Sequence, residues 1–448
     1  MPDFLPPSRF LRCVPVLSLL LILRSSHAQA QVPEGTYAAQ QDTAYQSGSH
    51  LVLPLAPSAQ QVDNLTLLGR VWGLVKYYHP AVAQGHYQMD AELFRLLPSV
   101  IAAHNASACT RILRAWLTRL GPVRGCASCA AVPGVAPNQQ PDLAWLHEEK
   151  RLGKALSRQL LGLVQPTATS SPAPAGPHYY IVPRGPANPV PEFVHERVYA
   201  APAYPDTGLR LLALFRYWNY VQYFYPYKYL LDEPWARQLP AFIPRLLHAR
   251  DALEYRLVLQ ELTTHLADAH CTISSQDAML NQYWGLYNVP ARVQFIDDQA
   301  VIGEANTHQL LAATGLQNGD RLLRIDGVPV DTLVARRQRL YARPNLPTQR
   351  RELARRLLWG ATPQVTLHVQ RQGQVLTLLA ARMLRTKLDQ YPARLPADSA
   401  YRRLRPGIGY VQDGCKRTSW RSCRPCCGPP KALLWTFVAI RRRESGSC

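Results

Sequence analysis

Side chains of the types that ligate metals or act as nucleophiles gather at three places in this 448-residue chain. The first is His265-Leu-Ala-Asp268-Ala-His270-Cys271, followed by Ser274 and Ser275. Such a set offers zinc ligands, but a site needs three or four of them with neighbours to orient each one. It also offers the parts of a Ser-His-Asp triad, whose three roles must converge from different directions, as close sequence neighbours seldom do. An Asp-x-His after a helix more often closes the helix end and bonds the next loop. That is the reading adopted, and no metal site is assigned.

The second place is Cys126-Ala-Ser-Cys129. Joined to Cys423-x-x-Cys426 it would complete a four-Cys zinc pattern, yet ligand pairs nearly 300 residues apart are unlike the spacing such sites use. In an oxidising compartment the expected outcome is a local disulfide between Cys126 and Cys129. The third place is the tail beyond Val411, which holds Ser419, Ser422, Ser445, Ser447 and Lys431. These lie among Arg, Trp, Cys and Gly with no strand-to-helix turn to expose a nucleophile, so no catalytic residue is assigned. Gly315 to Gly327 lacks the Lys-Ser/Thr of a phosphate loop, and no cofactor is expected.

At the start of the chain, Arg9 and Arg12 precede an apolar run from Val14 to Leu23, and Ala28-Gln29-Ala30 is a small-x-small cleavage site. Residues 1–30 therefore read as a secretory signal. The expected product begins near Gln31 and is exported, periplasmic or extracellular. No later segment reaches 18 apolar residues, so no stable membrane insertion is expected after signal removal. The net charge of +20 is spread along the chain and dominated by Arg, with only seven Lys. Without a basic stripe interleaved with aromatics, nucleic acid is not an expected partner.

The elements that would position these groups begin with an internal repeat. Arg70-Val-Trp72-Gly-Leu-Val75-Lys-Tyr77-Tyr78-His79-Pro80 matches Arg216-Tyr-Trp218-Asn-Tyr-Val221-Gln-Tyr223-Phe224-Tyr225-Pro226, 146 residues on. The same offset pairs Leu93 with Leu239, Pro98 with Pro244 and Leu120 with Leu266. Duplication of a helical unit explains this. Each copy reads as a helix stopped by proline, then a second (91–103; 235–249) and a third (109–120; 253–267). Trp72 with its following aromatics reads as a buried seam. Between the copies, Gln165 to Pro191 is rich in Pro, Ala and Ser and reads as an extended connector.

From about Trp284 the period becomes that of short strands. Ala291-Arg-Val293-Gln-Phe295 alternates, Asp297-Asp298 turns, and Ala300-Val-Ile302 continues. Val365 to Val369 and Val375 to Leu378 form a hairpin joined at Gln372-Gly373. Between them runs Gly315-Leu316-Gln-Asn318-Gly319-Asp320-Arg-Leu322-Leu323-Arg-Ile325-Asp326-Gly327-Val-Pro-Val330. This run closely resembles the signature of a PDZ domain. Such domains take an extended peptide as an added strand and hold its C-terminal carboxylate on backbone N–H groups. The resemblance implies a receiving edge at Ala291, Arg292, Val293 and Phe295, and a carboxylate loop at Asn288, Val289 and Pro290. The implied partners are protein or peptide chains with free C-termini.

With Pro406-Gly-Ile408-Gly409-Tyr410-Val411 added, the arrangement from Asn64 to Val411 resembles the tail-specific (C-terminal processing) serine peptidases, and most closely their secreted Bacteroidetes-type members. In that family Ile-Gly-Tyr-Val opens the peptidase core, and a Ser nucleophile with a Lys base follows more than a hundred residues later. Here 37 residues follow Val411, with five of the ten Cys and no helix or strand period. GC-rich codons for Thr418–Arg424 and Trp435–Ile440 read as a plausible helix and strand in another frame, so the tail reads as a frameshift product.

The expected architecture is α+β and multi-domain, with two related α-helical repeats, a PDZ-like β-barrel and an incomplete peptidase domain. The boundaries are signal 1–30, repeat 61–164, connector 165–205, repeat 206–280, PDZ-like 285–384, linker and first peptidase strand 385–411, and a disordered tail 412–448. The implied function is recruitment of chain ends for proteolysis by a serine endopeptidase-family protein whose own chain lacks the Ser-Lys core. The alternative is a non-catalytic peptide-binding protein.

Overall fold

The computed structural model describes residues 37–122, 140–164, 178–182, 191–199, 204–273, 277–303 and 308–389, with backbone strands at 401–405, 408–412 and 432–436. The signal, Cys126, Cys129, Ser274, Ser275 and most of the tail lie outside the described residues. The protein is a mixed α+β structure, helical first and then built on antiparallel sheet. Among the described residues no helix is long and apolar enough to cross a membrane.

The helical part comprises α1 (Ala38–Gln41), α2 (Ala59–Tyr78), α3 (Pro80–Ala83), α4 (Met89–Ala102), α5 (Ala106–Leu120) and α6 (Glu149–Val164). A two-stranded ribbon follows, β1 (Ile181–Val182) with β2 (Glu192–Phe193), then α7 (Thr207–Phe224), α8 (Gln238–His248), α9 (Ala252–Thr264) and α10 (Ala278–Trp284). Local chemistry sets the ends. Ser58 and Gln61 bond each other's backbone N–H groups to start α2, Asp206 caps α7 through the Leu209 N–H at 2.9 Å, and Pro80 and Pro226 follow the two stops.

Side-chain bonds recur at the 146-residue offset. Trp72 Nε1 donates to the Met89 carbonyl (2.7 Å) as Trp218 Nε1 donates to Trp235 (3.1 Å). Asn64 donates to the carbonyls of Val100 and Ala103, and Arg210 to those of Leu246 and Ala249. Asn105 caps α5 as Asp251 caps α9. The two long helices meet at equivalent positions as well. A Cβ on Gly69 would lie 2.8 Å from the Phe215 ring, one on Gly73 would land inside the Asn219 side chain, and the Tyr77 and Tyr223 rings stack edge-on at 5.5 Å. Contacts spaced four residues apart on both helices make α2 and α7 parallel and in register. Each also packs on the other's partner, α2 on α8 and α7 on α4.

The 165–205 segment does more than connect. Tyr180 is fully buried, takes the Met89 N–H (2.9 Å) and donates to the Tyr87 carbonyl. Glu196 completes a buried charge network. Its carboxylate pairs with the fully buried ammonium of Lys76 and, at 2.7 Å, with Arg216, while Arg216 also pairs with Asp90. Trp72 and Tyr180 put ring faces 5.0 and 4.6 Å from the Lys76 nitrogen. Burial lowers the Lys76 pKa; burial would raise Glu196, but Lys76 and Arg216 bring it below its ordinary value. Composition hid this docking, because a Pro- and Ala-rich stretch carries few of the residues that announce a core.

The remainder is sheet. β3 (Tyr287–Asn288), β4 (Arg292–Ile296) and β5 (Gln299–Gly303) precede α11 (His308–Ala312) and β6 (Arg321–Ile325). Then come β7 (Val328–Pro329), α12 (Val330–Arg337), α13 (Leu346–Leu357), β8 (Trp359–Gly360), β9 (Gln364–Arg371), β10 (Gln374–Ala381), β11 (Met383–Leu384) and α14 (Arg385–Leu388). The main sheet runs β10-β9-β6-β5-β4, with β7 paired on β6. The expected barrel does not close. β10 and β4 end the sheet on opposite sides, and α13 rather than a strand packs beside β4. Asp297, Asp298, Gln372 and Gly373 take positive φ at the two hairpin turns.

In the C-terminal part, β12 (Tyr401–Arg405) pairs antiparallel with β13 (Ile408–Gln412), and β14 (Ala432–Thr436) adds to β13 in parallel. The tail read from sequence as disordered thus contributes one strand, Ala-Leu-Leu-Trp-Thr, whose apolar and β-prone residues suit a ladder.

Two outcomes follow from the buried charges. Glu196→Ala strands Lys76 beside Arg216 and should lower stability by roughly 3–5 kcal/mol in urea unfolding, whereas the pair Lys76→Met with Glu196→Leu should recover most of the loss. His178 is buried next to Lys76, and burial first, then Lys76, pushes its imidazole down to about 4. The unfolded chain therefore takes up this proton first as pH falls. Stability is complete above about pH 6.5 and drains toward pH 4, by about 2 kcal/mol between pH 7.5 and 5. Urea midpoints of the wild type and His178→Gln at both pH values should differ by that share.

Candidate functional site

Among the described residues β4 has a strand on one side alone, β5. The direction of its polar groups follows from Ile302, which faces Val293 across the β4–β5 ladder. The Ile302 N–H donates to the Asp320 carbonyl and the Ile302 carbonyl accepts from Gly319, both at 2.8 Å, so Ile302 turns its groups away from β4. Val293, and Phe295 two residues on, therefore point their own N–H and C=O groups to the open edge. On the same strand Val293 is buried and Phe295 half-buried, while Arg292 and Ile296 are exposed.

Across from that edge stands α13. Asn345 caps it by accepting from the Thr348 N–H at 2.8 Å, and Gln349 ties it to the carbonyls of Gln338 and Tyr341, both at 3.0 Å. Between β4 and α13 lies a groove of about 440 Å³ lined by Val293, Phe295, Leu346, Pro347, Arg350 and Ala354. That volume suits a few side chains of an extended peptide. Arg350 pairs with Asp298 and lies 5.9 Å from the centre of the Phe295 ring. The turn under α13 is fastened in turn to the helical part, where Gln260 donates to the Leu340 carbonyl (3.2 Å) and Glu261 pairs with Arg339 and Arg245.

The other expected residues fall as follows. Asn288 sits in β3 between β11 and β8, Val289 is fully buried, and the Ala291 N–H donates to the Val289 carbonyl at 2.7 Å across Pro290. The groove thus brings Val293 and Phe295 together with α13, and Asn288 and Val289 lie within packed backbone. Sequence reasoning missed the α13 wall. Its signal was present: an Asn-x-x-Thr cap followed by Leu346, Leu353, Ala354 and Leu357 at helical spacing, masked by four Arg.

At the helix end after α9, the His270 ring bonds Asp268 at 3.0 Å and is 97% exposed, so no third group orients it. The Asp268 carboxyl is held below its usual range first by the His270 backbone N–H. Burial, then Asp268, pushes the Cys271 thiol up to about 11, so it is protonated and a poor nucleophile at neutral pH. No cluster of three or more His, Cys, Asp and Glu that would hold a metal occurs among the described residues. Lys76, the buried amine, spends its charge on Glu196. No protein-family model matches this sequence, and no curated protein matches it.

Asn345→Ala should cost about 1 kcal/mol through loss of the α13 cap. The loss should be local, so hydrogen exchange should accelerate over 346–350, the helical wall of the groove, and stay unchanged in α2 and α7.

Proposed function

We propose that this chain binds extended polypeptide by strand addition at β4, as the peptide-holding part of a tail-specific serine peptidase-type protein. The observation that carries the reading is the open edge of β4. Two residues in alternate positions offer unused N–H and C=O groups, and a groove for side chains runs beside them. The PDZ-type signature of Gly315 to Val330, which supplies β6 and the turns around it, supports the same reading.

The hydrogen bonds shared at the 146-residue offset support descent of the helical part from a duplicated unit. The peptidase kinship rests on Ile408-Gly-Tyr-Val411, here β13, and export rests on the signal-like first 30 residues. Binding is the part of this reading that the β4 edge supports, and no residue of this chain is assigned a catalytic role. A serine-reactive phosphonate should leave the protein unlabelled.

The test is fluorescence anisotropy with a short labelled peptide of alternating Val and Thr. Methylating the peptide nitrogens that face Val293 and Phe295 removes two ladder bonds. At about 1 kcal/mol each, the affinity should fall roughly 30-fold. Methylating the alternate nitrogens, which face away from β4, should change little. Equal losses from both series, or none from either, would sink strand addition.

A further inference from the structure

We infer that the β4 groove takes an internal stretch of polypeptide rather than a chain end. The inference rests on strand addition at β4 and concerns which part of a ligand chain is held there. A terminal carboxylate held by backbone needs several convergent N–H groups at one end of the groove. For a ligand antiparallel to β4, that end is the segment 288–291.

Every donor there is closed. Asn288 pairs with Met383 on one side and Trp359 on the other. Val289 has no exposed surface, and Pro290 has no N–H to give. Ala291 is next in the series of outward-facing positions that includes Val293 and Phe295, but its N–H is turned back to the Val289 carbonyl. The outward ladder therefore stops at Val293. The neighbouring cation, Arg292, has its backbone paired to Gly303 and its exposed side chain on the face opposite Val293.

The opposite orientation fares no better. A ligand parallel to β4 would bring its terminal carboxylate to the Asp297-Asp298 turn, where Arg350 is already paired with Asp298 and Arg351 with Glu352, and the Asp297 carboxylate repels a further negative charge. Nor does the groove need an end. Val293, Phe295, Leu346, Pro347 and Ala354 offer apolar surface to alternate residues of a passing strand. The occupant assigned is thus an extended segment, apolar at every second residue and continuing beyond both ends of β4.

Four forms of the alternating Val/Thr peptide decide the matter: free at both ends, amidated at the C-terminus, acetylated at the N-terminus, and capped at both. All four should bind wild-type protein with dissociation constants within about threefold of one another. Arg292→Ala, a surface change, should leave the free-acid peptide unaffected. A loss of tenfold or more on amidation, on acetylation, or in Arg292→Ala would place a chain end in the groove and overturn the inference. Should all four fail to bind, strand addition itself is refuted and the inference falls with it; that result differs from selective loss on capping.

Discussion

Gly69 and Gly73 let α2 lie so close to α7 that the Phe215 ring and the Asn219 amide occupy the space two side chains would otherwise fill. Asn219 then donates its amide N–H groups to the Gly69 carbonyl of the neighbouring helix at 3.0 Å and to the Phe215 carbonyl at 2.8 Å, so both donors at the tightest point are satisfied. Because equivalent residues face each other, the contact has the character of a two-fold dimer interface inside one chain. α4 and α8 each also touch the long helix of the other half, and the 191–199 segment brings Glu196 to Lys76 and Arg216.

That helical body extends its order toward the groove through a short series of contacts. Glu261 on α9 pairs with Arg245 and Arg339, Gln260 holds the carbonyl of Leu340, and the same turn gives the carbonyls that anchor Gln349 of α13. Leu280, Trp284, Leu340, Tyr341 and Leu353 form an apolar cluster at this junction, and Arg356 lies over the rings of Trp284, Tyr341 and Trp359. The wall of the groove is therefore fixed from behind.

What was legible in the sequence divides along physical lines. The burial of Trp72 and Trp218 could be read because aromatic residues that bury large area leave a fixed spacing. The strands from Arg292 to Ala381 could be read because alternation and turn residues such as Asp297-Asp298 and Gln372-Gly373 are local signals. Glu196 could not, since its partners lie 120 residues back in α2 and 20 residues ahead in α7, and nothing local marks a carboxylate for burial. α6 and α13 were missed because Arg and Lys dilute their apolar stripes, although long cationic side chains cover apolar surface well. Nor does anything local announce the backbone at 288–291, where Pro290 has no N–H and the Ala291 N–H turns back to the Val289 carbonyl.

The parallel seating of α2 on α7 also bears on how the chain is made. Helical proteins usually fold fast because their contacts are local, but this seam joins residues 146 positions apart. On a ribosome adding about 5–20 residues per second, the glycine face of α2 waits roughly seven to thirty seconds for its counterpart to be synthesised. Throughout that interval Gly69, Gly73 and Tyr77 lack the Phe215, Asn219 and Tyr223 side chains that cover them in the finished fold. That face of α2 stays open until translation has passed Phe224.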